Sequence, residues 1–116
     1  MLLPTKKKKI KCYLERIGSS LSAFDALLSD YISGELKERF LQLGVKIIEI
    51  YVDWLADYRC IGVQGKYQKY YVELQIEEKE FSIAFDAIEP DDPKTYLLET
   101  KEQVYSVFED TLKSLT

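Results

Sequence analysis

The chain contains no histidine and no asparagine. Without histidine, neither a serine nor a cysteine can be paired with an imidazole base, and a metal loses its commonest nitrogen ligand. Few thermolabile amides beside plentiful Lys and Glu form the pattern reported for hyperthermophile proteins, archaeal ones included. Cysteine is reduced to Cys12 and Cys60. Two are too few for a disulfide framework or a cysteine zinc site, and their apolar neighbours make buried free thiols the expectation. No glycine-rich phosphate loop is present, and no nucleophile–base pair can be named. Long hydrophobic runs are missing too: Lys46, Glu49 and Asp53 interrupt the most apolar stretch, so no membrane span is expected. The start, MLLPTKKKK, has no apolar segment after its lysines, which is the wrong order for a secretory signal. A cytoplasmic setting follows as the expectation, with no cofactor and no metal.

What remains is an ordinary globular composition in 116 residues, 47% hydrophobic and 31% charged, the size of one domain spanning 1–116. The charge is uneven. Lys6, Lys7, Lys8, Lys9, Lys11 and Arg16 against Glu15 give residues 1–16 a net of +5, which leaves −9 for residues 17–116 within the formal −4. An acidic body disfavours broad nucleic-acid binding, whereas the basic arm can meet an acidic partner. A basic first turn opposes the helix dipole, so residues 1–9 are expected to fray.

The helical period is strongest over 35–58, where Leu36, Phe40, Leu43, Ile47, Ile50, Trp54 and Tyr58 recur at spacings of three and four. A second row, Leu41, Val45, Ile48, Val52 and Leu55, runs beside it. Two adjacent apolar stripes predict a buried central helix, about 36 Å long at 1.5 Å per residue. Gly44 inside it implies a close helix crossing or a kink. Before it, Ile10, Leu14, Ile17, Leu21, Phe24, Leu28 and Tyr31 form a stripe over 5–32. Gly18, Ser19 and Ser20 interrupt that stripe, and Ser22 with Asp25 can cap a second piece. Ser33 and Gly34 then end the element, so a helical hairpin is expected.

After Tyr58 the period falls to two. Residues 60–64 read as a doubtful edge strand. In 70–76, Tyr70, Val72, Leu74 and Ile76 share one side, with Tyr71, Glu73 and Gln75 on the other. In 81–85, Phe81, Ile83 and Phe85 turn inward, after a polar four-residue link. A proline-containing acidic loop with Asp86, Glu89, Asp91 and Asp92 follows; it lacks the spacing of a calcium loop. Residues 96–99 offer a further short strand. Thr100 and Gln103 make a capping box for a last helix carrying Val104, Val107, Phe108, Leu112 and Leu115. The predicted fold is therefore α+β: an N-terminal helical hairpin with a long central buried helix, a two- or three-stranded antiparallel sheet and a C-terminal helix. The alternative is an all-α domain around the same central helix, with 66–88 helical.

Site candidates are few. Lys6, Lys7, Lys8, Lys9 and Lys11 form a basic interaction surface. Tyr67, Tyr70 and Tyr71 cluster with Tyr58, and tyrosine is favoured at interfaces because it joins an apolar body to a polar tip. Asp57, then fifteen residues, then Glu73-Leu74-Gln75 on a strand resembles the metal-dependent nucleases whose motif is an acid, a spacer and Asp/Glu-x-Lys. That resemblance implies Asp57 and Glu73 as Mg²⁺ ligands, with Gln75 in the lysine position, where it lacks the charge. The favoured function is a small non-enzymatic binding or assembly protein acting through protein–protein contact. Its partner is another protein or a second copy, a homodimer being the expectation, since apolar stripes on three helices and a sheet face would leave a remainder at an interface if they exceed what one core can hold. The alternatives are the nuclease-like protein and a nucleic-acid accessory using the basic arm.

Overall fold

The computed structural model describes residues 6–17, 21–55, 57–85 and 94–115. In chain order these form α1 (Lys6–Ile17), α2 (Ala23–Ser33), α3 (Glu35–Gln42), β1 (Lys46–Leu55), β2 (Tyr58–Tyr67), β3 (Tyr70–Glu77), β4 (Glu80–Phe85), β5 (Lys94–Leu97) and α4 (Lys101–Lys113). The strands make one antiparallel sheet in the order β1-β2-β3-β4-β5, each paired with the next in sequence. The α+β class holds. The long central helix, the two- or three-stranded sheet and the all-α alternative do not.

The helix expected over 35–58 stops after two turns. Gly44 takes φ +91°, a left-handed conformation that ends a helix, and the chain leaves as β1. Gly44 is thus a turn residue against the Tyr67 ring, neither a kink nor a helix crossing. Composition permits the strand: Val45, Ile47, Ile48, Ile50 and Val52 are β-branched, stiff at χ1, and fit a pleated surface better than a helix. Apolar residues are so dense there that both periods match. In β1, Ile47, Ile50 and Trp54 pack against the core and Val52 is buried in it. The doubtful edge strand is in fact β2, ten residues long and paired on both sides. The β3–β4 hairpin and the Thr100–Gln103 cap fall where the alternation and the capping box put them, while the short strand expected over 96–99 runs instead over Lys94–Leu97. The N-cap of α2 is Ser22, whose Oγ accepts from the Asp25 backbone N–H at 3.2 Å.

The core lies between one face of the sheet and the helices. Ile10 of α1, Phe24, Leu27 and Leu28 of α2, Leu36 and Phe40 of α3, and Val104, Phe108 and Leu112 of α4 meet Val52, Ile61, Val63, Val72, Leu74, Ile76, Phe81, Ile83 and Phe85. Burying each large side chain contributes about 1.5–3 kcal/mol. A polar clamp joins the helices. Tyr105 Oη donates to buried Asp30 Oδ2 at 2.9 Å, and Lys101 Nζ donates to Asp30 Oδ1 at 3.1 Å. The guanidinium of Arg39 lies 3.7 Å from the Tyr105 ring centroid and holds Glu102 through two bonds of 2.8 Å.

Candidate protein-binding face

Every second residue of a strand points away from the helices, and in register these side chains form rows across the sheet. Lys46, Lys66 and Tyr71 make the first row. Glu49, Gln64, Glu73 and Ala84 make the second, and Tyr51, Gly62, Gln75 and Ser82 the third. Asp53, Cys60 and Glu77 form the fourth, and Leu55 beside Tyr58 closes the end. Among the described residues no helix packs on this face. Most of its side chains are exposed or half-buried, with Leu55 at 64% and Tyr71 at 52%.

The first row is basic, the second and fourth are acidic, and the third is uncharged. Glu49 and Glu73 flank Gln64, and Asp53 and Glu77 flank Cys60, with Glu80 beyond them on β4. Carboxylates two strands apart stand roughly 10 Å from one another. That is near the Debye length in physiological salt, so their repulsion is only partly screened. Specific bonds hold the surface in shape. Gln64 Nε2 donates to Glu73 Oε2 at 2.9 Å, and Gln75 Nε2 donates to Tyr51 Oη at 3.2 Å. The Tyr51 ring lies on Gly62, where any Cβ would collide with it. Burial raises the Tyr51 hydroxyl above its ordinary value. Burial also pushes up the Cys60 thiol, and the carboxylates of Glu77 and Asp53 add to that. A thiol held protonated among acids is a poor nucleophile. Tyr58 is raised as well, by its hydrogen bond with Cys60 first and by burial second.

A β-bulge shapes one corner. Ile47 faces Gly65 and Glu49 faces Gln64, so Ile48 is the extra residue, 57% exposed. With Gln64, Tyr71, Glu73 and Ala84 it borders a depression of about 530 Å³.

The residues singled out from sequence are scattered over this frame. Of the three tyrosines only Tyr71 lies on the open face. Tyr67 packs against the core, and Tyr70 pairs with it directly across the 68–69 turn, with Lys69 Nζ 5.5 Å from its ring. Glu73 and Gln75 do share the open face. Asp57 sits in the β1–β2 turn, seven residues along from Gln64, the partner of Glu73, and therefore roughly 23 Å away. The three positions matching the nuclease motif are not brought together. Among the described residues no three Cys, Asp or Glu side chains form a metal-ligand group. The acidic loop of Asp86, Glu89, Asp91 and Asp92 lies outside the described residues.

Lys6, Lys7, Lys8, Lys9 and Lys11 all belong to α1, on the opposite layer. Lys8, Lys9, Cys12 and Arg16 line a groove of about 510 Å³ with Tyr13 and Trp54, whose rings meet edge to face at 4.9 Å. Cys12 is exposed there, contrary to the expected burial, while Cys60 is buried. Sequence reasoning does not bring Glu49, Tyr51 and Asp53 to this face, because a helical period runs through β1. It does not place Gln64 in the middle of the sheet, because residues 60–64 read alone as an edge strand. Comparison with protein-family models, curated proteins and solved structures finds no match, and no helix among the described residues is long and apolar enough to cross a membrane.

Proposed function

We propose that the chain is a non-enzymatic binding protein that takes a basic protein partner on its open sheet face. The observation that carries this reading is the one-sided sheet, with helices on one face and, on the other, rows of acids set among exposed Tyr58, Tyr71, Leu55 and Ile48. Crowded like charges weaken the isolated fold, and an oppositely charged partner relieves them. Strand spacing and length give the face a plane of roughly 20 by 30 Å, about 600 Å², close to one side of a standard protein–protein interface. Its charge favours a basic partner over a second copy. Glu49, Asp53, Glu73, Glu77 and Glu80 outnumber Lys46 and Lys66 on it, so a second copy would meet a net like charge.

The test is a photo-crosslinking amino acid placed at Ser82 on the open face or at Glu38 on α3, in the source cells. The Ser82 position should give a discrete adduct with a protein of basic surface, and Glu38 should not. The adduct should vanish with Glu73→Lys plus Glu77→Lys. No adduct from Ser82, or adducts with the chain itself alone, would sink the reading.

A second reading draws on the α1 groove, which interleaves Lys8, Lys9 and Arg16 with Tyr13 and Trp54. Cations beside stacking rings suit single-stranded nucleic acid. Salt-sensitive retention of an oligonucleotide, lost in Lys9→Glu plus Arg16→Glu, is its signature; retention that ignores both changes removes it.

A further inference from the structure

We propose that the corner depression of the open face is a receptor for one arginine side chain of the docked protein. This rests on the reading of that face as the docking surface for a basic partner. The depression exists because of three local facts. The bulge lifts Ile48 out of the β1 ladder, Ala84 leaves the neighbouring strand low, and Tyr71 rises 52% exposed at the rim. Its volume of about 530 Å³ lies within the range of about 300–1,000 Å³ that accepts small ligands, so one long side chain enters without rearrangement.

The lining fits a guanidinium better than an ammonium. Glu73 supplies the charge. The bond from Gln64 Nε2 fixes its Oε2, which leaves Oε1 of Glu73 and the amide oxygen of Gln64 as acceptors at one corner. A planar fork of N–H donors can satisfy two such oxygens together, whereas an ammonium is a single point charge. The Tyr71 ring already attracts a cation in the molecule itself, with Lys66 Nζ 5.4 Å from its centroid. Guanidinium groups stack on such rings more readily than ammonium groups do. Ala84, opposite Glu73 in the register, offers apolar surface to the methylenes of the arginine stem, and Ile48 forms the far wall. Glu49 stands in the same row as Glu73 and adds a second negative charge nearby. Arginine and tyrosine are among the residue types that interfaces use as anchors, once docking has excluded water from around them.

The experiment is an amide-resolved NMR titration of the whole labelled chain with acetyl-arginine amide, and with acetyl-lysine amide as the comparison. Shifts should concentrate at Gln64, Tyr71, Glu73 and Ala84 and saturate, with arginine several-fold tighter than lysine. Glu73→Gln should weaken arginine by about tenfold, the loss of one charge-assisted pair. Ala84→Leu, an outward change that fills the depression, should abolish the local shifts and leave the remaining spectrum in place. Equal responses to both cations, spread along Glu49, Asp53, Glu77 and Glu80, would overturn the receptor and leave the acidic face as a general docking wall. Shifts confined to the α1–α4 layer would overturn the receptor and the docking face together.

Discussion

The hydroxyl end of the Tyr51 ring covers Gly62, so that no Cβ can be placed at residue 62 without striking it. The Tyr51 hydroxyl meanwhile accepts from Gln75, and the three residues tie β1, β2 and β3 along one row of the open face. Gly62→Ala should therefore lift the ring and cost about 1–3 kcal/mol, the usual range for overpacking. In a Tyr51→Ala background the same change should cost little, because nothing remains to collide. Urea unfolding of the single and double variants measures the coupling. Additive losses would show that the ring and the glycine are independent.

The bulge at Ile48 also guards the β1 edge. A ten-residue edge strand offers unpaired backbone groups to other chains, and a bulge with Lys46, Glu49 and Asp53 nearby blunts that edge. Deleting Ile48 leaves Ile47 opposite Gly65 and Glu49 opposite Gln64, so the register survives. The variant should fold, and it should self-associate more readily than the parent in sedimentation.

Asp30 is a buried carboxylate at 4% exposure, and its acceptors are met by Tyr105 and Lys101 from the far end of the chain. Tyr105→Phe keeps the ring and removes one donor. It should cost about 1–3 kcal/mol, the penalty for leaving a buried polar atom short of a partner. The measurement is the shift of the urea midpoint at unchanged slope. A change within a few tenths would mean that water replaces the hydroxyl.

Two stability losses with pH follow from the perturbed groups. Tyr105 is raised by burial and then by its bond to Asp30; Tyr51 and Tyr31 are raised by burial. The native state keeps these phenol protons after the unfolded chain, at its ordinary 10.0, has begun to lose them. Their contribution is complete below pH 10 and declines as pH climbs past it. Phenolate absorbance should rise together with unfolding. At the acid end, the hydrogen bond from Arg39 holds Glu102 below its ordinary 4.5, so its contribution is present above that value and fades as pH falls through the lowered one. Glu102 is 62% exposed, so this second loss stays below about 1 kcal/mol, and Arg39→Met should remove it.

The sequence by itself determined the parts whose signals are local. Strict alternation placed β3 and β4 and sorted Val72, Leu74 and Ile76 from Glu73 and Gln75, because side chains of a strand alternate whatever else surrounds it. Ser22, Gly34, Thr100 and Gln103 marked helix ends, because capping is a bond between near neighbours. The run from Val45 to Leu55 was beyond local reading. Its apolar residues satisfy a helical and a strand period together, and the choice was made by β2 pairing along one side while the helices covered one face. By propensity Gly62 and Gly65 weaken a strand; in the fold they are seats for Tyr51 and for Val45, whose Cγ1 would lie 2.6 Å from a Cβ at residue 65. Only the tertiary structure decided which acids share a wall. Register, a relation between distant segments, put Glu49 in one row with Glu73 and left Asp57 at the far end of the sheet.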